Sequence, residues 1–144
     1  MSNASGEVAL QLAGSFGCEV VGIHGFNSVM HEGAFRVMEP TLPQEYQQEE
    51  ILKHQRAVHA TLIKVGMEKI SLSYLRPLEE DFKKAGVPFR PKVLEGKNFL
   101  AINEMIQQED DGLVVMGAGG FNALERGFVG SVCMRVLRGN DRDI

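Results

Sequence analysis

Apolar positions recur along this chain at two spacings, one helical and one extended. Over residues 7–16 (EVALQLAGSF), Val8, Leu10 or Ala9, Leu12 and Phe16 share one helical face. Ser5 stands where a helix is capped, Glu7 suits the first turn, and Gly17 is placed to end the helix. Residues 18–24 (CEVVGIH) are short, apolar and β-branched, the pattern of a buried strand. Residues 25–46 hold Gly25, Asn27, Gly33, Pro40 and Pro43 and predict a long surface loop with a short helix near 29–37. From 45 to 86 the helical spacing returns. Ile51, Leu52, Val58, Leu62, Ile63 and Val65 carry it to Gly66, a breaker. Ile70, Leu72, Leu75, Leu78 and Phe82 carry it on, with Pro77 marking a boundary or kink. Lys83, Lys84 and Gly86 make a good helix end. Residues 87–94 (VPFRPKVL) predict a second strand, and the two prolines put it at a sheet edge. Residues 99–108 predict a helix, 113–116 a third strand apolar on both faces, and 132–138 a last helix.

Strands alternating with helices imply parallel β-α-β units, with helices on both faces of the sheet. The expected fold is a three-layer α/β sandwich, as one domain over residues 1–144. In such folds the ligand crevice lies beyond the carboxyl ends of the strands. Composition narrows the picture little. The chain has 144 residues, 44% hydrophobic and 24% charged, the balance of a globular protein. A net charge of −4 gives no electrostatic footprint for nucleic acid. Cys18 and Cys133 form no CxxC and read as reduced, small apolar residues of a cytoplasmic protein. No apolar run approaches the roughly 18 residues of a membrane span, and the first residues lack the pattern of a signal peptide.

The chemistry concentrates in VVMGAGGFNALERGFVGSV, residues 114–132, where Gly117, Gly120, Gly130 and Ser131 form G-x2-G-x9-G-S. Gly117 and Gly120 leave backbone free of Cβ atoms that would block a phosphate. Gly130 and Ser131 open the last helix, whose first amides, those of Ser131 and Val132, lack intrahelical partners and face an anion with the helix dipole behind them. The plainer reading is a pair of ordinary turns with Ser131 as a cap. Five of the sixteen glycines fall within 117–130, which favours the phosphate reading. The lysine of a P-loop is absent.

With this motif complete, the chain resembles the universal stress protein family. LAGSFGCEVVGIH is similar to that family's first helix and second strand, DFKKAGVPFRPKVLEG to its third-strand entry, DGLVVMGAGG to its fourth strand and GSVCMRVLR to its last helix. The resemblance implies a Rossmann-like fold of the adenine nucleotide alpha hydrolase-like type. It implies binding of ATP, or AMP or ADP, with Mg2+ able to accompany the nucleotide. Gly117, Gly120, Gly130, Ser131 and Val132 would then hold the phosphates and ribose. It also implies a stress-response role and a homodimer or strand-sharing oligomer. Two departures stand out. Family members open with a strand ending in an aspartate and close with a strand after the last helix, whereas this sequence runs from Met1 to Ile144 without either. The expectation is a fold abbreviated at both ends, with those strands supplied from elsewhere or compensated. Gly25 also falls near a position where the family places an apolar residue against adenine.

Other candidates carry less. Arg126 lies in the glycine loop within reach of a phosphate. Arg135, Arg138 and Arg142 suit a helix carboxyl end. His24 ends a strand on the crevice side and reads as a hydrogen-bonded structural histidine, and His59 as helix surface. His31-Glu32 and Glu49-Glu50 with His54 give no tight metal set. Asp110-Asp111 reads as a solvated turn, and Met105, Met116 and Met134 as core fillers. No nucleophile–base pair is evident, so any ATP hydrolysis would be slow. The alternative function is an interaction or dimerisation module of the same fold that binds no nucleotide.

Overall fold

A computed structural model describes residues 3–109, 112–119 and 129–140, apart from the side chains of Asn3 and Met30. Helix α1 covers Asn3–Phe16 and strand β1 Val20–Phe26. Helix α2 (Val29–Met38) and two short 3₁₀ turns (Glu39–Thr41 and Gln44–Tyr46) lead to helix α3 (Glu49–Lys84). Strand β2 (Phe89–Glu95), helix α4 (Asn98–Gln108) and helix α5 (Ser131–Gly139) follow.

The two strands pair in parallel, Val20 opposite Phe89 through Phe26 opposite Glu95. At the ends of the ladder, Val20 N–H donates to the Pro88 carbonyl (2.9 Å) and Gly96 N–H to that of Phe26 (2.8 Å). Backbone groups alternate in direction along a strand. The residues of β1 with even numbers therefore turn their N–H and C=O toward β2, and Val21, Ile23 and Gly25 turn theirs to the opposite edge. On β2 the odd-numbered residues face away from β1, so Pro91, which has no N–H, removes no bond from the ladder. The prolines do place β2 at an edge, as its sequence suggested.

Both predicted glycine stops end helices in the left-handed conformation. Gly17 has φ 66° and donates to the Ala13 carbonyl at 2.8 Å. Gly86 has φ 70°, and Val87 N–H reaches back to the Phe82 carbonyl at 3.0 Å. The helix before Gly17 starts earlier than expected, so Ser5 lies within its first turns and not at its cap. The segment 25–46 is largely helical: β1 runs into its first residues and α2 occupies its middle. Glu39, just after α2, takes a two-pronged ion pair from Arg56 of α3 (both arms 2.7 Å), which ties this segment to the long helix.

Neither expected break interrupts α3, which runs through Gly66 and Pro77 for 36 residues. Its inner face supplies Leu52, Ser71, Leu75 and Phe82, all buried. Packing along that face outweighs the roughly 1 kcal/mol propensity cost of a mid-helix glycine. Pro77 and Ser73 are both exposed, so the carbonyl that loses its partner at Pro77 is open to water. The core joins Phe82 to Phe89 of β2, ring centroids 4.9 Å apart, and continues through Ala101, Met105 and Ile106 of α4 to Cys133 and Val136 of α5.

The largest correction concerns residues 113–116. They form no strand: the described residues contain one sheet of two strands, β1 and β2. Leu113 is 57% exposed, and Val114 and Val115 are half-buried along a cleft that separates them from β1. An extended segment becomes a strand only when a neighbour takes its hydrogen bonds, and among the described residues none does so here. The observed architecture is thus a mixed α/β fold, mostly helical, around a short parallel sheet. No helix is long and apolar enough to cross a membrane among the described residues.

Candidate functional site

The two strands are parallel, so their carboxyl ends lie on one side of the sheet. Beyond β1, the Asn27 side chain accepts the Val29 amide (3.2 Å) and turns the chain into α2. Beyond β2, Gly96 takes φ 143°, a backbone conformation that favours glycine, and delivers the chain into α4. The amino end of α4 meets the end of β1: a Cβ built on Gly25 would lie 3.4 Å from Asn98 Cα.

Helix α5 brings the glycine motif to the same end of the molecule. Arg135 lies over the Phe99 ring at 4.6 Å, and Asn140 Nδ2 donates to Asn103 Oδ1 at 2.8 Å. Contacts that advance together along both helices mean that α4 and α5 run parallel, so their amino ends share one side. Gly130 is the residue before α5, at φ −58° and ψ 147°, and among the described residues no side chain bonds into the cap. Its carbonyl accepts the first helical bond, from Met134 N–H at 3.0 Å. Its own N–H donates to the Ala118 carbonyl at 2.6 Å, which closes the two ends of the motif on each other. Ser131 and Val132 are exposed, and amides in a helix's first turn have no acceptor within the helix. Gly117 has open space where a Cβ would stand, and its φ is not positive. Its glycine is therefore not demanded by a turn; it leaves a clear approach to backbone. Gly117, Gly130, Ser131 and Val132 are thus brought together at the amino end of α5. Gly120 and Arg126 lie outside the described residues, as do Asp110, Asp111 and Arg142.

A cluster that the sequence did not signal lies at the strand ends. Ser28 Oγ donates to Glu95 Oε1 in a short hydrogen bond, and Lys64 of α3 pairs with the other oxygen at 2.6 Å. Lys64 and then Ser28 hold the Glu95 carboxyl below its ordinary range, and Glu95 raises Lys64 in return. Three separate elements contribute, so no spacing in the chain could have revealed it. Its effect is to neutralise the carboxylate at the end of β2.

Two histidines differ from expectation. His24 was read as hydrogen-bonded, yet its Nδ1 is buried without a partner among the described residues. Its ring lies 5.3 Å from that of Tyr74, and burial pushes its pKa down, toward the neutral form. His59 is no free surface residue: it stacks on Phe35 of α2 at 4.4 Å. Arg135, expected only as a cation suited to a helix end, sits on an aromatic ring.

Chemically, then, the start of α5 offers helix-start amides with no partner among the described residues and a hydroxyl on Ser131. These are the makings of an anion site. The model of the universal stress protein family matches residues 4–141, nearly the whole chain. The chain belongs to the universal stress protein family. Membership carries a Rossmann-like fold and a stress-response role, of which the parallel β-α-β unit here is the visible part. No curated protein and no solved structure matches the chain.

Proposed function

We propose that this universal stress protein domain binds an adenine nucleotide, ATP foremost, with its phosphates on the amino end of α5. One observation carries the reading: Gly130 bonds Ala118, Ser131 and Val132 are exposed, and among the described residues no side chain bonds their amides. Gly117 would leave backbone clear for the phosphates, and Gly120 and Arg126 would complete the loop. Mg2+ would enter with the phosphates. The fit is good at the phosphate end. At the adenine end Gly25 is packed against Asn98, so a base would rest on backbone there and not on an apolar side chain. The domain would act as a nucleotide-dependent regulatory unit in the cytoplasm, as a homodimer.

Thermal unfolding followed with ATP, with AMP and without nucleotide tests this reading. ATP should raise the midpoint more than AMP, since its longer phosphate chain engages more of the helix start. Equal midpoints at millimolar ATP would overturn it.

A second reading, an interaction module that binds no nucleotide, is favoured by a different observation: the open cleft along β1.

A further inference from the structure

Helix α3 carries apolar residues on two sides. Leu52, Leu75 and Phe82 are buried against the rest of the chain. Val58, Leu62, Val65 and Leu72 are exposed on the outer side, Leu62 by 66%. At about 100° per residue these four fall within roughly 80° of one another. Val58, Val65 and Leu72 stand one heptad apart, and the half-buried Ile51 extends the series by one more step. A repeat of this length is the seam by which one helix packs along another, whereas packing on a sheet follows the ordinary helical period.

The charges along the stripe narrow the partner. Glu50, Glu68, Glu79 and Glu80 flank it, which disfavours an anionic lipid surface. The first turn of α3 holds Glu49 and Glu50, and the last turn Lys83 and Lys84. Carboxylates at one end and ammonium groups at the other make this helix complementary to a second α3 running the opposite way. A parallel pair would set Lys69 on Lys69 and Arg76 on Arg76, which like charges oppose.

We propose that the outer side of α3 is the contact between two copies of this chain, packed antiparallel about a two-fold axis at Val65. Val65 then meets its own equivalent, Val58 faces Leu72 of the second copy, and Glu50 lies within one turn of that copy's Lys83. Lys69 lays its stem along the second copy's Leu62 and keeps its ammonium in water. The 36 residues of α3 make a strip about 54 Å long and about 10 Å wide. Pairing two such strips buries roughly 1,000 Å² in total, the low end of specific interfaces, so the dimer is weak and concentration-dependent. The inference rests on the dimeric reading above only for the existence of a second copy. It uses neither the edge of β1 nor the amino end of α5, so it stands apart from strand sharing and from nucleotide binding.

Sedimentation velocity on the full chain, without nucleotide and across a micromolar concentration series, tests this contact. The parent should pass from monomer to dimer as concentration rises. Val65→Lys and Leu62→Lys should each raise the dissociation constant about thirtyfold or more, since every change lands in both copies. Leu100→Lys, at an exposed apolar site on α4, should leave it unchanged. Glu50→Lys and Lys83→Glu should each weaken the dimer roughly threefold to tenfold. The two together should return it to within about twofold of the parent, a rescue that requires the residues to pair between copies. All these positions are exposed, and circular dichroism should show each variant as helical as the parent. A parent that stays monomeric to high micromolar concentration would overturn both this contact and the dimeric reading. A dimer that Val65→Lys leaves intact, that Leu100→Lys breaks equally, or that the paired charge changes do not rescue would overturn the contact alone.

Discussion

Replacing Gly130 with aspartate separates helix capping from phosphate binding. Gly130 has φ −58° and ψ 147°, a conformation open to any residue, and it occupies the cap of α5. Aspartate is among the best capping residues, worth a few tenths of a kcal/mol over glycine. Its charge at the start of α5 adds about 0.3–1 kcal/mol through the helix dipole. The free variant should therefore be as stable as the parent or slightly more so. The same carboxylate would confront any phosphate seated on the Ser131 and Val132 amides. At about 4 Å one pair of like charges costs roughly 1 kcal/mol in water and roughly 4 kcal/mol at an effective dielectric constant of 20. A cost of about 2.7 kcal/mol, within that range, is about a hundredfold in affinity. At ATP one hundred times its dissociation constant, the parent gains about 2.7 kcal/mol of stability. For a domain of this size that is a rise in Tm of roughly 10 °C. The variant at the same ATP concentration should gain about 0.4 kcal/mol, or roughly 1–2 °C. Thermal unfolding with and without ATP reads both effects. A variant that keeps the full ATP shift would place the phosphates away from α5. A variant that unfolds several degrees lower without ATP would refute the capping geometry.

Three further outcomes are expected. Phe82→Ala removes a ring that is 1% exposed and packed on Phe89, and should cost about 3–5 kcal/mol in denaturant unfolding. Pro77→Ala restores a donor for the Ser73 carbonyl within α3, and should raise stability by roughly 1–2 kcal/mol, less than the full helix penalty because proline also stiffens the unfolded chain. On acidification two groups act in the same direction. His24 has a folded-state pKa below its ordinary value, so the unfolded chain binds its proton first and stability falls as pH drops below about 6.5. Glu95 has a lowered pKa held by Lys64 and Ser28, so its contribution is present above the unfolded carboxyl pKa of about 4.3 and is lost as pH falls through the folded value. Urea midpoints measured from pH 8 to pH 2 should fall in these two steps, and His24→Phe should remove the upper one.

Local chemistry was readable from the chain wherever one residue decides a backbone event. Gly17 and Gly86 stop helices because only glycine takes their left-handed turn without strain, and the prolines around Phe89 mark an edge because they lack donors. Long-range balance was not readable. Gly66 and Pro77 are breakers by propensity, yet Leu75 and Phe82 anchor the helix through them, and burial outweighs one weak position. Residues 113–116 have a strand's composition but no partner beside them, and pairing is a property of two segments. At the site, the motif from Gly117 to Ser131 is continuous in sequence and was visible at once. The Ser28–Glu95–Lys64 cluster joins residues from three elements and emerged only with the fold.

The central claim is that nucleotide phosphates sit on the start of α5. Backbone amide NMR of the labelled chain during an ATP titration tests it most directly. The account predicts that the largest shifts fall on Ser131 and Val132, with Gly117 and Gly130 following, and that adenosine without phosphates leaves these amides in place. Unmoved Ser131 and Val132 amides at saturating ATP, or shifts centred on another part of the chain, would contradict it.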